Sequence, residues 1–234
     1  MIVTSNWGKK LANKSIEAIM AGPYDVTGVL AFKDGGRMDH ATAIKLTNAF
    51  WHKTDRIFFG SAASKGFGIN RLCFLEFGKS QKCIHSHFVA QSPFDPIAFA
   101  AFLNTLWDKF HSSTAKPEDN WISPIEDKLA TAEYVTKEIW RFRDDSHVLN
   151  CDHGSERPTI YSDFDNEAQL ERIINHIEES GFEDALERVP VHMVLIRQRI
   201  ARRVQVAASR QNKIKFDMAN ATPAFQKFIQ SRQS

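Results

Sequence analysis

"RLCFLEFG" (residues 71–78) followed by "KCIHSHFVA" (82–90) is the stretch that decides the fold. The first segment is apolar and β-rich, and it reads as a strand. "KSQ" (79–81) then turns the chain back into a second strand, so the two form a β-hairpin. Alternate residues of a strand share a face. Cys83, His85, His87 and Val89 therefore point one way, and Ile84, Ser86, Phe88 and Ala90 the other. On the first strand Leu72, Phe74 and Glu76 share a face. If the hairpin register aligns those two faces, Glu76 comes beside both imidazoles.

Two imidazoles and one carboxylate leave coordination positions open, which is what a catalytic metal requires. Two plainer readings compete with it. The histidines can be uncoordinated, or they can belong to a structural zinc site that recruits Cys83, Cys151 and His153. The spacing C-x-H-x-H is not a usual structural zinc pattern, which favours two or more residues between ligands.

Outward from the hairpin, turn and cap signals divide the chain. A short helix over "KSIEAIMAG" ends at Gly22 and Pro23. "DVTGVLAFK" (25–33) reads as a strand and "DGG" (34–36) as a turn. A helix over 39–53 starts from Asp39 as N-cap, and "DRIFFGSA" (55–62) is apolar enough to suggest another strand. Asp95 and Pro96 open a helix over 95–110. A short strand follows at "WISPIE" (121–126), then a helix over 127–142, and further helices at 165–180 and 191–209. This order does not alternate as a parallel α/β fold would. It predicts an α+β domain with a central, mostly antiparallel sheet, covering helices and a helical C-terminal segment. The division expected is 1–145 for the first domain and 146–234 for a mainly helical, basic region.

Composition excludes several classes. With 43% hydrophobic and 25% charged residues the chain is ordinary for a globular protein. No apolar run is long enough for a membrane span, the N-terminus lacks a secretory apolar region, and three cysteines make no disulfide framework; a cytoplasmic location is expected. Charge is uneven along the chain. From Arg188 to the end there are ten cations and one acid, Asp217, so the tail carries +9 and the first 187 residues are left near −7 of the net +2. A basic segment on an acidic body suggests a polyanionic partner such as nucleic acid, against the plainer reading of a solvated helix face. Arg197, Arg199, Arg202, Arg203, Arg210, Lys213 and Lys215 are the candidate DNA-binding residues. Apolar members of the same helix can equally dock it on the first domain or on a second copy of the chain.

A second chemical clue is "TAEYVTKEIWR" (131–141), where Tyr134 and Lys137 stand three apart on a predicted helix. They share a face there. A tyrosine beside a cation can serve as a nucleophile. "CFLEFG", "CIHSHFVA" and "EYVTKE", in that order, resemble the motifs of the HUH endonuclease superfamily, specifically the rolling-circle replication initiator (Rep) proteins of small plasmids and phages. The resemblance covers roughly residues 20–145. The position between the two histidines is usually bulky and apolar in that family, whereas here it is Ser86. "GSAASKGFG" lacks the spacing of a phosphate loop, so the chain resembles the nuclease-only members, which depend on a host helicase.

The resemblance implies a fold of the HUH, ferredoxin-like type and a set of roles. Glu76, His85 and His87 would hold Mg²⁺ or Mn²⁺. Tyr134 would attack the scissile phosphate of single-stranded origin DNA, giving a 5′-phosphotyrosine link and a free 3′-hydroxyl for a host polymerase. Lys137 would lower the tyrosine's pKa or neutralise transition-state charge, and the basic tail would grip duplex DNA beside the origin. Rejoining would follow later. Rivals within the superfamily are a single-tyrosine relaxase or transposase. A rival of another class is a non-catalytic DNA-binding regulator with structural histidines.

Overall fold

A computed structural model describes residues 6–33, 35–77, 83–111, 121–141, 152–153, 171, 173–175, 178 and 183–219 of the chain. It contains α1 (Asn6–Ala21), β1 (Val26–Ala31), α2 (His40–Phe59), β2 (Arg71–Glu76), β3 (His85–Ala90), α3 (Pro96–His111), β4 (Ile122–Pro124), α4 (Lys128–Val135), α5 (Lys137–Arg141) and α6 (Glu183–Ala219). The four strands form one sheet in the order β2-β3-β1-β4, and every neighbouring pair is antiparallel. The architecture is α+β, as the order of elements predicts. The turn residues 34 and 78–82 lie outside the described residues, as does the boundary expected between 145 and 146. The chain separates into two compact units, Met1–Met193 and Val194–Ser234.

The sheet is covered on both faces by helices of the first unit. On one face Phe88 meets Trp51 edge-on at 5.0 Å, and Phe50, Trp107 and Phe110 continue the aromatic packing between α2 and α3. On the other, Phe74 and Val89 pack with Ala12 and Ile19 of α1 and with Ala132, Val135 and Ile139 of α4 and α5. Ser86 is fully buried on the α2/α3 face, opposite Leu75 on one side and Leu30 on the other. A small residue at that point leaves room for the large rings around it.

The stretch 55–62 departs from expectation. It is not a strand: α2 continues to Phe59 and passes into a 3₁₀ segment, Gly60–Lys65. Phe50, Trp51, Thr54, Ile57 and Phe58 are buried at helical spacing, and that period overrides the β-propensity of "RIFF". Asp39 caps the start by accepting from the Thr42 N–H at 2.7 Å, and Gly60, with φ of 55°, ends the helix. Asp55 is buried because it has partners. Its carboxylate accepts from Arg71 Nη1 at 2.9 Å and from the Ile69 N–H at 2.9 Å, and the Arg71 guanidinium stacks over Trp51.

One further expectation needs correction. Residues 127–142 are not one helix: it breaks at Thr136, whose hydroxyl bonds back to the Ala132 carbonyl at 2.7 Å. Asp152 and His153, which the sequence places in no strand, cover the edge strand β2. His153 and Arg71 form an isolated antiparallel bridge, and Asp152 accepts from the Cys73 N–H at 2.8 Å. An otherwise open sheet edge is thereby partly paired.

The described part of the second unit, 194–219, is helical. Residues 191–209, predicted as helix, lie inside the longer α6, which carries Pro190 near its start. The described residues of 165–180 (171, 173–175 and 178) are helical as well. No helix among the described residues is long and apolar enough to cross a membrane.

Candidate functional site

The hairpin register brings the Glu76 face and the histidine face together. Glu76 pairs directly with His85, and Phe74 with His87, so Glu76 lies beside one histidine and diagonal to the other on the same face. Val29 and Ala31 of β1 stand opposite His87 and His85 on that face. Both side chains carry no hydrogen-bonding atoms, so neither competes for the imidazoles. Glu76, His85 and His87 bring one ligand atom each to within 4.8 Å of one another, a group that could hold a metal ion. Cys83 and Cys73 lie outside this group, His153 is engaged with the edge of β2, and Cys151 lies outside the described residues.

One oxygen organises the site. Glu76 Oε2 lies 2.5 Å from His87 Nε2, 3.3 Å from His85 Nε2 and 2.5 Å from Lys137 Nζ. Burial would raise the Glu76 carboxyl, but the hydrogen bonds from His85, His87 and Lys137 outweigh it and hold the group ionised far below the usual carboxylate range. His87 is almost fully buried, and that burial lowers its pKa to about 4 against the opposing pull of Glu76. The ring is therefore neutral near pH 7, as an imidazole ligand must be.

His85 is oriented from behind. Its Nδ1 lies 3.1 Å from the Cys83 carbonyl. With Nδ1 so engaged, Nε2 faces the Glu76 oxygen at 3.3 Å, the position from which it would ligate a cation in place of a proton. The donor set of two nitrogens and one carboxylate suits Mn²⁺ better than Mg²⁺, which prefers oxygen ligands.

Tyr134 and Lys137 come from α4 and α5, on either side of the Thr136 break, yet they meet at the same place. The Tyr134 ring stands edge-on to His87 at 5.2 Å between centroids. Lys137 Nζ lies over the face of the Tyr134 ring, 3.4 Å from its centroid, while pairing with Glu76. The lysine thus meets the ring face and the carboxylate together. Tyr134 is 50% exposed, while its ring is in contact with His87 and Lys137.

Glu138 is a site residue that sequence reasoning misses. It stands four residues after Tyr134 and is only 4% exposed, with Oε2 lacking a hydrogen-bond partner among the described residues. Burial, and then the Glu76 charge, raise its pKa. The one available signal is an acid directly following the lysine in "TKE", a position that folds inward.

The candidate DNA-binding cations all lie on α6. At 3.6 residues per turn, Arg199, Arg202, Arg203, Arg210 and Lys213 fall within a sector of about 100°, whereas Arg197 and Lys215 fall on the opposite side. Arg199, Arg202, Arg203 and Arg210 line one concave surface together with Val206 and Ala207. Asp144, Asp145, His147, Lys227 and Arg232 lie outside the described residues.

No protein-family profile matches this chain, and neither the curated proteins nor the solved structures searched gave a match.

The site makes a pH prediction for the metal-free chain. His87 carries a folded-state pKa of about 4 against an ordinary 6.5, so the unfolded state binds the proton more readily. Stability is complete above 6.5 and falls as pH drops toward 4, by about 3 kcal/mol from this residue. Glu76, whose pKa is lowered from 4.5, adds a loss that begins only below about that pH. Denaturant melts in EDTA at pH 7, 5.5 and 4 check this; a His87→Asn variant should show a flatter profile between 6.5 and 4. Equal slopes in both proteins would contradict it.

Proposed function

We propose that this protein is a metal-assisted DNA-nicking and strand-transfer enzyme that uses Tyr134 as its nucleophile, acting as a replication initiator of the rolling-circle type. One observation carries the reading: a half-exposed tyrosine stands edge-on to His87, within a Glu76–His85–His87 group able to hold a cation, with the Lys137 ammonium between them. The order of these residues along the chain, and their motifs, support the same reading.

Glu76, His85 and His87 would hold a divalent ion, Mn²⁺ or Mg²⁺, which when bound polarises the scissile phosphate. The chain's own residues do the rest. Tyr134 gives up its phenolic proton to solvent and its oxygen attacks phosphorus. The P–O3′ bond breaks, the 3′-oxygen takes a proton, and the 5′-phosphate stays on the tyrosine. Lys137 offers positive charge where the phosphoryl oxygens gain negative charge. His87 and the apolar residues behind it close the rear of the site, so approach is from the Tyr134 and His85 side. Attack by the 3′-hydroxyl on the phosphotyrosine reverses the sequence and rejoins the strand.

The test is a denaturing gel of the full chain mixed with labelled single-stranded DNA from its cognate replicon in Mn²⁺. A labelled protein–DNA adduct that disappears with EDTA is expected. DNA binding without adduct under any divalent metal would move the assignment to a regulator that reads DNA without cutting it.

The basic stripe of α6 is assigned to phosphate contact. An Arg202→Ala/Arg203→Ala/Arg210→Ala variant should bind duplex DNA more weakly. Its log K against log salt should be shallower by about one for each phosphate that is no longer neutralised. An Arg197→Ala/Lys215→Ala variant should change little, because those two lie on the other side of the helix. Equal weakening in the two variants would count against a directed stripe.

A further inference from the structure

The Glu76 oxygen that a metal needs is already taken by Lys137. The ammonium lies 2.5 Å from Oε2, close to where a cation bound by His85, His87 and Glu76 would place its own charge. Both cannot hold that oxygen, since an ammonium and a divalent ion side by side in a buried site repel strongly. Lys137 must therefore have somewhere to go. Its other neighbour, the Tyr134 ring face, offers no anion. The next residue does: Glu138 is buried, it accepts the Phe77 N–H, and its Oε2 is unpartnered among the described residues. A buried carboxylate oxygen left without a donor is costly, and native structures rarely keep one without a use.

We infer that Lys137 is a tethered counter-cation that moves between two carboxylates, resting on Glu76 in the metal-free protein and on Glu138 once a divalent ion is bound. Glu138 is thus a positioning residue that receives the displaced ammonium, and metal entry is coupled to release of the lysine. The exchange makes and breaks no covalent bond. In the metal-free state the tethered ammonium neutralises a buried carboxylate that would otherwise repel its surroundings. In the loaded state it stands freed from Glu76, where an incoming phosphate can meet it. This inference rests on the metal site proposed above.

The experiment is calorimetric titration of Mn²⁺ into the full chain without DNA, at one pH, for the wild type, Lys137→Met, Glu138→Gln and the double variant. Removing the competitor should tighten Mn²⁺ binding about tenfold, the worth of one charge-assisted hydrogen bond. Glu138→Gln alone should weaken binding about three- to tenfold, because the displaced ammonium then has no carboxylate to meet. In the double variant Mn²⁺ affinity should match that of Lys137→Met, since Glu138 acts only through the lysine. Lys137→Arg, which keeps the charge, should bind Mn²⁺ like the wild type. Melting curves establish that each variant is folded, and Lys137→Gln replaces Lys137→Met in the cycle if the latter is not. Unchanged or weaker Mn²⁺ binding by Lys137→Met would overturn the competition. A loss from Glu138→Gln that persists in the double variant would overturn the positioning role and make Glu138 a ligand or a structural group. A wild type that binds no Mn²⁺ would instead remove the metal site itself, and the inference with it.

Discussion

Tyr134→Phe is expected to abolish the protein–DNA adduct, reducing strand cleavage by at least about a thousandfold, while leaving DNA binding and stability within experimental error. The reasoning is local. The substitution removes one oxygen from a side chain that is 50% exposed. The ring, with its edge against His87 and its face under Lys137, remains in place. Surface changes that keep packing rarely move stability by more than about 0.5 kcal/mol. Among the described residues, the groups beside the ring are an imidazole, an ammonium and a carboxylate tied to one another, none of which replaces the missing hydroxyl. A quantitative cleavage assay, with fluorescence anisotropy for binding, separates the two effects. Cleavage at more than a tenth of the wild-type rate would contradict the assignment.

Glu76→Gln should produce the second large effect, on metal affinity and stability together. Gln keeps the shape but removes the charge that His85, His87 and Lys137 share. Mn²⁺ binding should weaken at least about a hundredfold, as expected for loss of the only anionic ligand in the set. The metal-free protein should also lose about 2–3 kcal/mol, because the Lys137 ammonium, with its side chain 16% exposed, loses a buried partner. Titration calorimetry and denaturant melts read the two numbers independently. A variant that binds Mn²⁺ normally would remove Glu76 from the ligand set.

Much of this site was legible because it depends on short-range rules. Strand alternation put His85 and His87 on one face, and a hairpin of that spacing brought Glu76 across to them. What the sequence concealed depends on contacts between distant segments. "DRIFFGSA" looks like a strand until Asp55 is seen meeting Arg71, sixteen residues later, which keeps the helix buried through that stretch. Asp152 and His153 look like loop residues because nothing local shows that β2 is an edge strand in need of cover. The Thr136 break was hidden by good helix formers on both sides, although it brings Tyr134 and Lys137 together from two helices. Glu138 escaped notice since burial of an acid has no signature in a single chain. The basic tail shows the converse: its charges were countable, but only the helix phase divides Arg197 and Lys215 from the other five.

Ser86 illustrates how a departure from a motif can be absorbed. A bulky apolar residue between the histidines would face the α2/α3 layer, where Trp51, Phe50 and Trp107 already fill the space against Phe88. The small residue belongs to that packing, on the face of β3 away from Glu76 and Tyr134.

Peptide mass spectrometry of the adduct tests the central claim most directly. The full chain, incubated with its cognate single-stranded DNA and Mn²⁺ and then digested with nuclease and protease, should give one nucleotide-modified peptide with the phosphate on Tyr134. Modification at Tyr24 or Tyr161, or at any other residue, would contradict the assignment of the nucleophile. Complete absence of modified peptide under conditions where the DNA is bound would contradict the enzymatic reading itself.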